Sequence, residues 1–309
     1  MATSLLAEWD NFYVIAGSSA GGLTGLTFVV IALASDADTC GFDTLWLSEH
    51  LLVPARGNSS KHPSEGVSDA EANRPDLTLD TELTDPMVVL GAAAAVTRRI
   101  GLATGIYVAP LRHPLVTARA AATVQALAAG RFTLGIGAGW LRDEFNALGV
   151  PFDTRGAAVA ECVTVLRQAL AGGLVEHHGD IYKFDACRVC TIATDVPIVL
   201  GGNSPAAMRR AAMIGDGWYA SGNLTPSDAE RLTSRMRVLL AERGRTSDFT
   251  IWTRIPRGRL HDFDRYLDRG IDNVIVWADE LWPRTAEPTD RRAALGVAAR
   301  GLHVNDSAA

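Results

Sequence analysis

The run HPLVTARAAATVQALAAGRFTLGIGAGW, residues His113 to Trp140, decides the fold. His113-Pro114 opens a helix with proline at its first position, and an alanine-rich segment carries it to Ala129. Gly130 suits the left-handed turn that ends a helix, and Phe132 to Ile136 then reads as a strand. The same grammar stands just upstream. Asp85 caps a helix with Pro86 at its first position, the helix runs to Arg99, and a strand spans Ile100 to Val108.

Working outward, short β-branched runs continue to alternate with helix-length stretches. Strands are expected at Thr44 to Ser48, Pro197 to Leu200, Gly217 to Ala220, Phe249 to Ile255 and Asn273 to Trp277. This alternation predicts an α/β fold of parallel strands joined by crossover helices, a (β/α)8 TIM barrel. Two stretches, Arg56 to Thr84 and Glu176 to Asp195, are too polar or irregular for the barrel wall. The first follows a strand and is read either as a lid over the barrel mouth or as a surface loop.

The eighth strand must come from before Gly41. Phe12 to Ala16 is the candidate, followed by Gly17 to Gly22 as a loop and Leu23 to Asp38 as a helix. The chain thus divides into an atypical segment, 1–40, and a barrel domain, 41–309. Phe12 to Ala34 is also a run of 23 residues without a charge, long enough to span a bilayer. Segment 1–40 is therefore read as a first βα unit whose apolar helix face is covered by another subunit, or as a membrane-type helix with contact through residues 12–34. Neither lysine nor arginine flanks the run as a signal peptide or anchor would require.

Composition narrows the function. In 309 residues, 48% hydrophobic and 21% charged, a sizeable core is available. A net charge of -6 with interspersed signs supplies no field for a nucleic-acid backbone, so no nucleic-acid partner is expected. Four cysteines point to a reducing cytoplasm, and Cys187 and Cys190 lack the second pair that a closed zinc site needs. No metal is expected.

Barrels of this kind carry their chemistry at the C-terminal ends of the strands. There, Glu49 and His50 place a carboxylate and an imidazole side by side, suited to proton relay near neutral pH. Gly105 thins the end of its strand, and the glycines at 135, 137 and 139 lead to the aromatic wall of Trp140. Gly201, Gly202, Asn203 and Ser204 follow a strand and open a helix at Pro205, a turn whose free amides suit a phosphate. The glycine spacing is not that of a dinucleotide fingerprint, and no Gly-x-Ser-x-Gly elbow or His-Glu-x-x-His helix is present.

Taken together, these segments resemble the bacterial-luciferase-like flavin and coenzyme F420 oxidoreductases. The likeness runs through Gly41 to His50, Asp85-Pro86 to Pro114, Gly130 to Trp140, Glu144-Phe145, Leu148 to Phe152, Gly201-Gly202 and Asp216 to Trp218. The resemblance implies a ring lying across a non-proline cis peptide, here Gly105 to Ile106, and matches Glu49 and His50 to an acid and a histidine of the F420-using branch. Some members carry a glutamate proton donor where this chain has Trp140, a departure from the sugar-phosphate dehydrogenase subtype.

The expectation is therefore hydride transfer between coenzyme F420 and a small organic substrate. His50 and Glu49 are the catalytic candidates, with Gly105, Ile106, Gly137, Gly139, Trp140, Gly201, Gly202, Asn203 and Ser204 at the cofactor. The alternatives are an FMN-dependent monooxygenase, fed by a separate flavin reductase and using O2, and a non-catalytic or membrane-tethered barrel. A cytoplasmic homodimer is expected.

Overall fold

A computed structural model describes residues 23–56, 77–81, 83–190, 194–245, 249–281 and 288–302. The expected first strand, Phe12 to Ala16, and most of the expected lid lie outside these residues. In the first half, α1 (Leu23–Cys40) leads to β1 (Thr44–Leu47), α2 (Pro86–Val96) to β2 (Gly101–Thr104) and β3 (Tyr107–Val108), and α3 (Pro114–Leu127) to β4 (Phe132–Gly137). Then come α4 (Arg142–Leu148), α5 (Arg155–Leu170), the antiparallel pair β5 (Val175–His178) and β6 (Lys183–Cys187), and β7 (Ile198–Gly201). The chain closes with α6 (Pro205–Ile214), β8 (Gly217–Tyr219), α7 (Pro226–Ala241), β9 (Thr250–Arg254), α8 (Phe263–Leu267), β10 (Val274–Ile275), α9 (Ala278–Leu281) and α10 (Pro288–Gly301).

The main sheet is parallel in the order β1-β2-β4-β7-β8-β9-β10, with β3 also beside β4. The single strand expected from Ile100 to Val108 is thus two pieces, β2 and β3, interrupted at the cis bond between Gly105 and Ile106. The other expected strands are present within a residue or two.

The sheet is curled. Trp46 on β1 and Trp252 on β9 stand five strand positions apart, which in a flat sheet would be about 24 Å. Their ring centroids are 5.0 Å apart, and Trp46 lies 5.3 Å from Tyr219 on β8. Strand alternation explains the two cores that result. Leu45, Leu102, Leu134, Ile136, Ile198, Leu200 and Trp218 face the helices, whereas Trp46, Ala103, Val199, Tyr219 and Ile275 form a separate cluster inside the curl.

The helices pack where their sequence caps them. Asp85 Oδ1 accepts from Met87 N at 2.8 Å, and Ser204 Oγ accepts from Ala207 N at 3.2 Å. The segment 1–40 contributes α1, whose buried Val30, Leu33, Ala34 and Ala37 lean on α2 and α10 of the same chain. These four side chains are thus covered within the chain itself. Asp38 near its end accepts from the backbone of Arg98, Arg99 and Ile100 at 3.0, 2.7 and 2.6 Å, tying α1 to the entry of β2. Among the described residues no helix is long and apolar enough to cross a membrane.

Candidate active site

At the C-terminal end of β1, Glu49 and His50 take opposite directions, as neighbours on extended backbone must. Glu49 is buried, its Oε2 accepting from Val108 N at 2.7 Å and its Oε1 from Arg112 Nη2 at 2.5 Å. Arg112 in turn lies 4.4 Å over the Tyr107 ring. Burial pushes the Glu49 carboxyl above its ordinary range, and Arg112 and the Val108 N–H oppose that rise. Glu49 therefore braces β3 immediately after the cis bond.

His50 does not pair with Glu49, as its sequence neighbourhood suggested. Its Nδ1 lies 3.1 Å from Oε1 of Glu144, on the first turn of α4, and the same oxygen accepts from Leu51 N at 2.7 Å. Glu144 is fully buried, and its Oε2 has no hydrogen-bond partner among the described residues. The Trp140 ring meets His50 edge-on with centroids 5.6 Å apart. His50 itself keeps a side-chain exposure of 13%, enough to present one ring edge to the mouth.

The glycines gather around one side chain. A Cβ on Gly137 would sit 2.3 Å from Ile106 Cδ1, and one on Gly201 would sit 3.0 Å from Ile106 Cγ2. Their bareness makes room for Ile106, so the sequence-predicted glycines on β4 and β7 act through that residue. Gly105 packs on Trp46 and Tyr219. Gly139 has φ of +77°, and a side chain there would meet Val108 and Phe145, so the turn into Trp140 closes tightly over β3.

At the other side of the mouth, the side chains of the turn after β7 are already engaged. Asn203 Nδ2 donates to Ser221 O at 2.7 Å and its Oδ1 accepts from Ser221 N at 2.8 Å, which rivets the loop after β7 to the loop after β8. The Ser204 hydroxyl caps α6, and Gly202 O accepts from Trp218 Nε1 at 2.8 Å. What this turn can offer an anion is therefore main-chain N–H and the positive end of α6, held in place by Asn203 and Ser204.

Two residues were given no role in the site by the sequence reading. Glu144 lies 94 positions from its histidine, and nothing local marks it as a partner. Arg254, at the inward-facing end of β9, hydrogen-bonds Asn223 Oδ1 through Nε at 2.9 Å and lies 4.5 Å over Trp277. Burial lowers its pKa, while the neighbouring Tyr219 opposes this. Counting strand alternation forward from Trp252 would have pointed it into the barrel.

This arrangement can hold a flat, anion-bearing ligand over Ile106, with an imidazole at its rim and helix-end amides for its charge. A family model described as luciferase-like monooxygenase matches residues 21–257. The chain belongs to this family. Membership makes it an oxidoreductase with the family's (β/α)8 barrel fold, and the curled parallel sheet with its helices is consistent with that fold.

Among curated members it is similar to an uncharacterized protein of Mycobacterium tuberculosis, 31% identical over 263 residues, covering 84% of this chain and 88% of that one. It is likewise 31% identical over 220 residues to an F420-dependent glucose-6-phosphate dehydrogenase of Beutenbergia cavernae, covering 70% of this chain and 58% of that protein. Among solved structures, the F420-dependent tetrahydromethanopterin reductase of Methanopyrus kandleri matches with TM-score 0.58 and 24% identity, over 77% of this chain and 65% of that one. Monooxygenase RslO1 of Streptomyces bottropensis matches with TM-score 0.61 and 21% identity, over 94% and 80%. These structural likenesses carry the fold.

Proposed function

We propose that this luciferase-like oxidoreductase transfers a hydride between coenzyme F420 and a small organic substrate, with His50 moving the accompanying proton. The supporting observation is the buried His50–Glu144 pair at the barrel mouth, beside Trp140, with Ile106 in the break between β2 and β3. The F420-dependent relative from Beutenbergia cavernae supports the choice of cofactor.

The residues present suit the group. Gly137 and Gly201 leave Ile106 as the backing of the mouth, and the end of α6 offers amides for a phosphate. When bound, the deazaflavin supplies a two-electron hydride donor or acceptor. The chain's own residues do the rest. Glu144 Oε1 accepts a hydrogen bond from His50 Nδ1–H, which leaves the Nε2 lone pair available to take a proton from a substrate hydroxyl, or the protonated Nε2–H to return one to a carbonyl. Trp140 shields that nitrogen from water on one side. Glu49 keeps β3 and Ile106 in place.

Titration of the purified protein with F420 and with FMN tests the assignment. Micromolar binding of F420 is expected, and His50→Ala is expected to keep that affinity while losing about 100-fold or more in turnover with an accepted substrate. Binding of FMN with none of F420 would transfer the reading to an FMN-dependent monooxygenase. An unchanged turnover in His50→Ala would remove His50 from the mechanism.

A further inference from the structure

Beside the Trp140 wall, three guanidinium groups crowd one patch of the rim. Arg142 and Arg155 both lie over the Phe152 ring, at 4.1 and 3.8 Å from its centroid. Arg155 Nε donates to Gly139 O at 3.1 Å, one residue before Trp140, so the cluster touches the active-site loop directly. Arg210 comes from α6 and donates through Nη1 to Gly156 O at 3.2 Å, beside Arg155. Its Nε is buried with no hydrogen-bond partner among the described residues.

This is an unfavourable place for unbalanced cations. Arg142 and Arg155 are the first residues of α4 and α5, the positive ends of those helices. Arg142 and burial both depress the pKa of Arg155, a sign of mutual repulsion at close range. Asp153 pairs with Arg142 at 3.0 Å, with a side chain 84% exposed. A surface pair of that kind contributes little. Asp143 follows Arg142 on α4, and Glu144 is committed to His50.

The geometry also sets a direction. The amides that suit a phosphate stand at the start of α6, and Arg210 lies six residues further along it, about 9 Å of helix rise. A chain leaving that phosphate along α6 toward α5 meets Arg210, then Arg155, then Arg142. Resting on the F420 reading above, we infer that these three arginines seat the carboxylate-rich oligoglutamate tail of coenzyme F420, the part that FMN lacks. The guanidinium groups of Arg142 and Arg155 both lie against the Phe152 ring, which keeps the two charges together.

Affinity for F420 with its oligoglutamate tail, and for the same deazaflavin phosphate without glutamates, is measured by fluorescence at low and high salt. The wild-type protein is expected to bind the tailed form about tenfold more tightly at low salt, with the advantage shrinking as salt rises. Arg142→Gln, at a half-exposed position, and the double variant R142Q/R210Q are expected to reduce that advantage stepwise toward twofold or less, while affinity for the tailless form stays the same. Arg142→Lys, which keeps the charge, is expected to retain most of it. Equal wild-type affinity for both forms, or an advantage that survives R142Q/R210Q, overturns the inference and leaves the F420 reading standing. Failure of both deazaflavins to bind, with FMN binding, overturns the F420 reading itself.

Discussion

Replacing Glu144 by alanine probes the part of the site that depends on a single buried carboxylate. Its Oε1 serves two donors, His50 Nδ1 at 3.1 Å and Leu51 N at 2.7 Å. Hydrogen bonds to a charged group contribute about 1.5–3 kcal/mol each, so the gross loss is about 3–6 kcal/mol. Part returns, because the variant no longer buries a carboxylate whose second oxygen has no partner among the described residues. A net loss of about 2–4 kcal/mol is expected for Glu144→Ala. Glu144→Gln keeps an acceptor for Leu51 and should cost about 1–2 kcal/mol.

Urea unfolding of the two variants and the wild type gives these values from midpoints at constant slope. The double variant with His50→Ala separates orientation from stability. If Glu144 acts by aiming His50, its effect on turnover collapses once His50 is gone, a coupling of about 1–3 kcal/mol in the cycle. Additive effects on turnover, or a Glu144→Ala protein as stable as Glu144→Gln, would refute the assigned role.

Two further expectations concern the frame around the site. Gly137→Ala drives a methyl to 2.3 Å from Ile106 Cδ1 and should destabilise by about 1–3 kcal/mol, and adding Ile106→Val, which removes that carbon, should recover most of the loss in the same unfolding assay. Burial alone would raise the Asp38 pKa, but the N–H groups of Ile100, Arg98 and Arg99 hold it below the ordinary carboxylate range. Its contribution is thus full above the unfolded value of about 4 and fades as pH falls through the lower folded value. Asp38→Asn should therefore narrow its stability gap to the wild type in acid unfolding measurements, and a gap independent of pH would contradict the assignment.

The strands were legible because each inner or outer face is uniformly apolar over three or more residues, as in Ile198 to Leu200 and Phe132 to Ile136. The pair β5–β6 was read only as irregular sequence, since Glu176, His178, Lys183, Asp185 and Ala186 leave it largely exposed and no apolar alternation forms. Its anchor is tertiary: Glu161 on α5 accepts from the backbone of Asp180, Ile181 and Tyr182 and meets His177 Nε2 at 3.1 Å. In the site, His50 stood out through its position after a strand, while its true partner did not, because only folding brings α4 to the end of β1. The glycines of β4 and β7 were visible as thin places, but what fills the space they leave, Ile106, follows from the chain's turn between β2 and β3. The turn at Gly201 to Ser204 was read for its backbone amides, whereas the side chains of Asn203 and Ser204 turned out to be engaged, one with the loop after β8 and the other in capping α6.

The rings of Trp46, Tyr219 and Trp252 plug the bore behind Gly105. Where the described residues line it, such a vessel has a floor, and what enters from the rim stops there. Whatever rests deepest must arrive first and depart last, so substrate and product exchange above a seated redox partner. Ordered kinetics, with the cofactor leading, would be the natural behaviour of such a well.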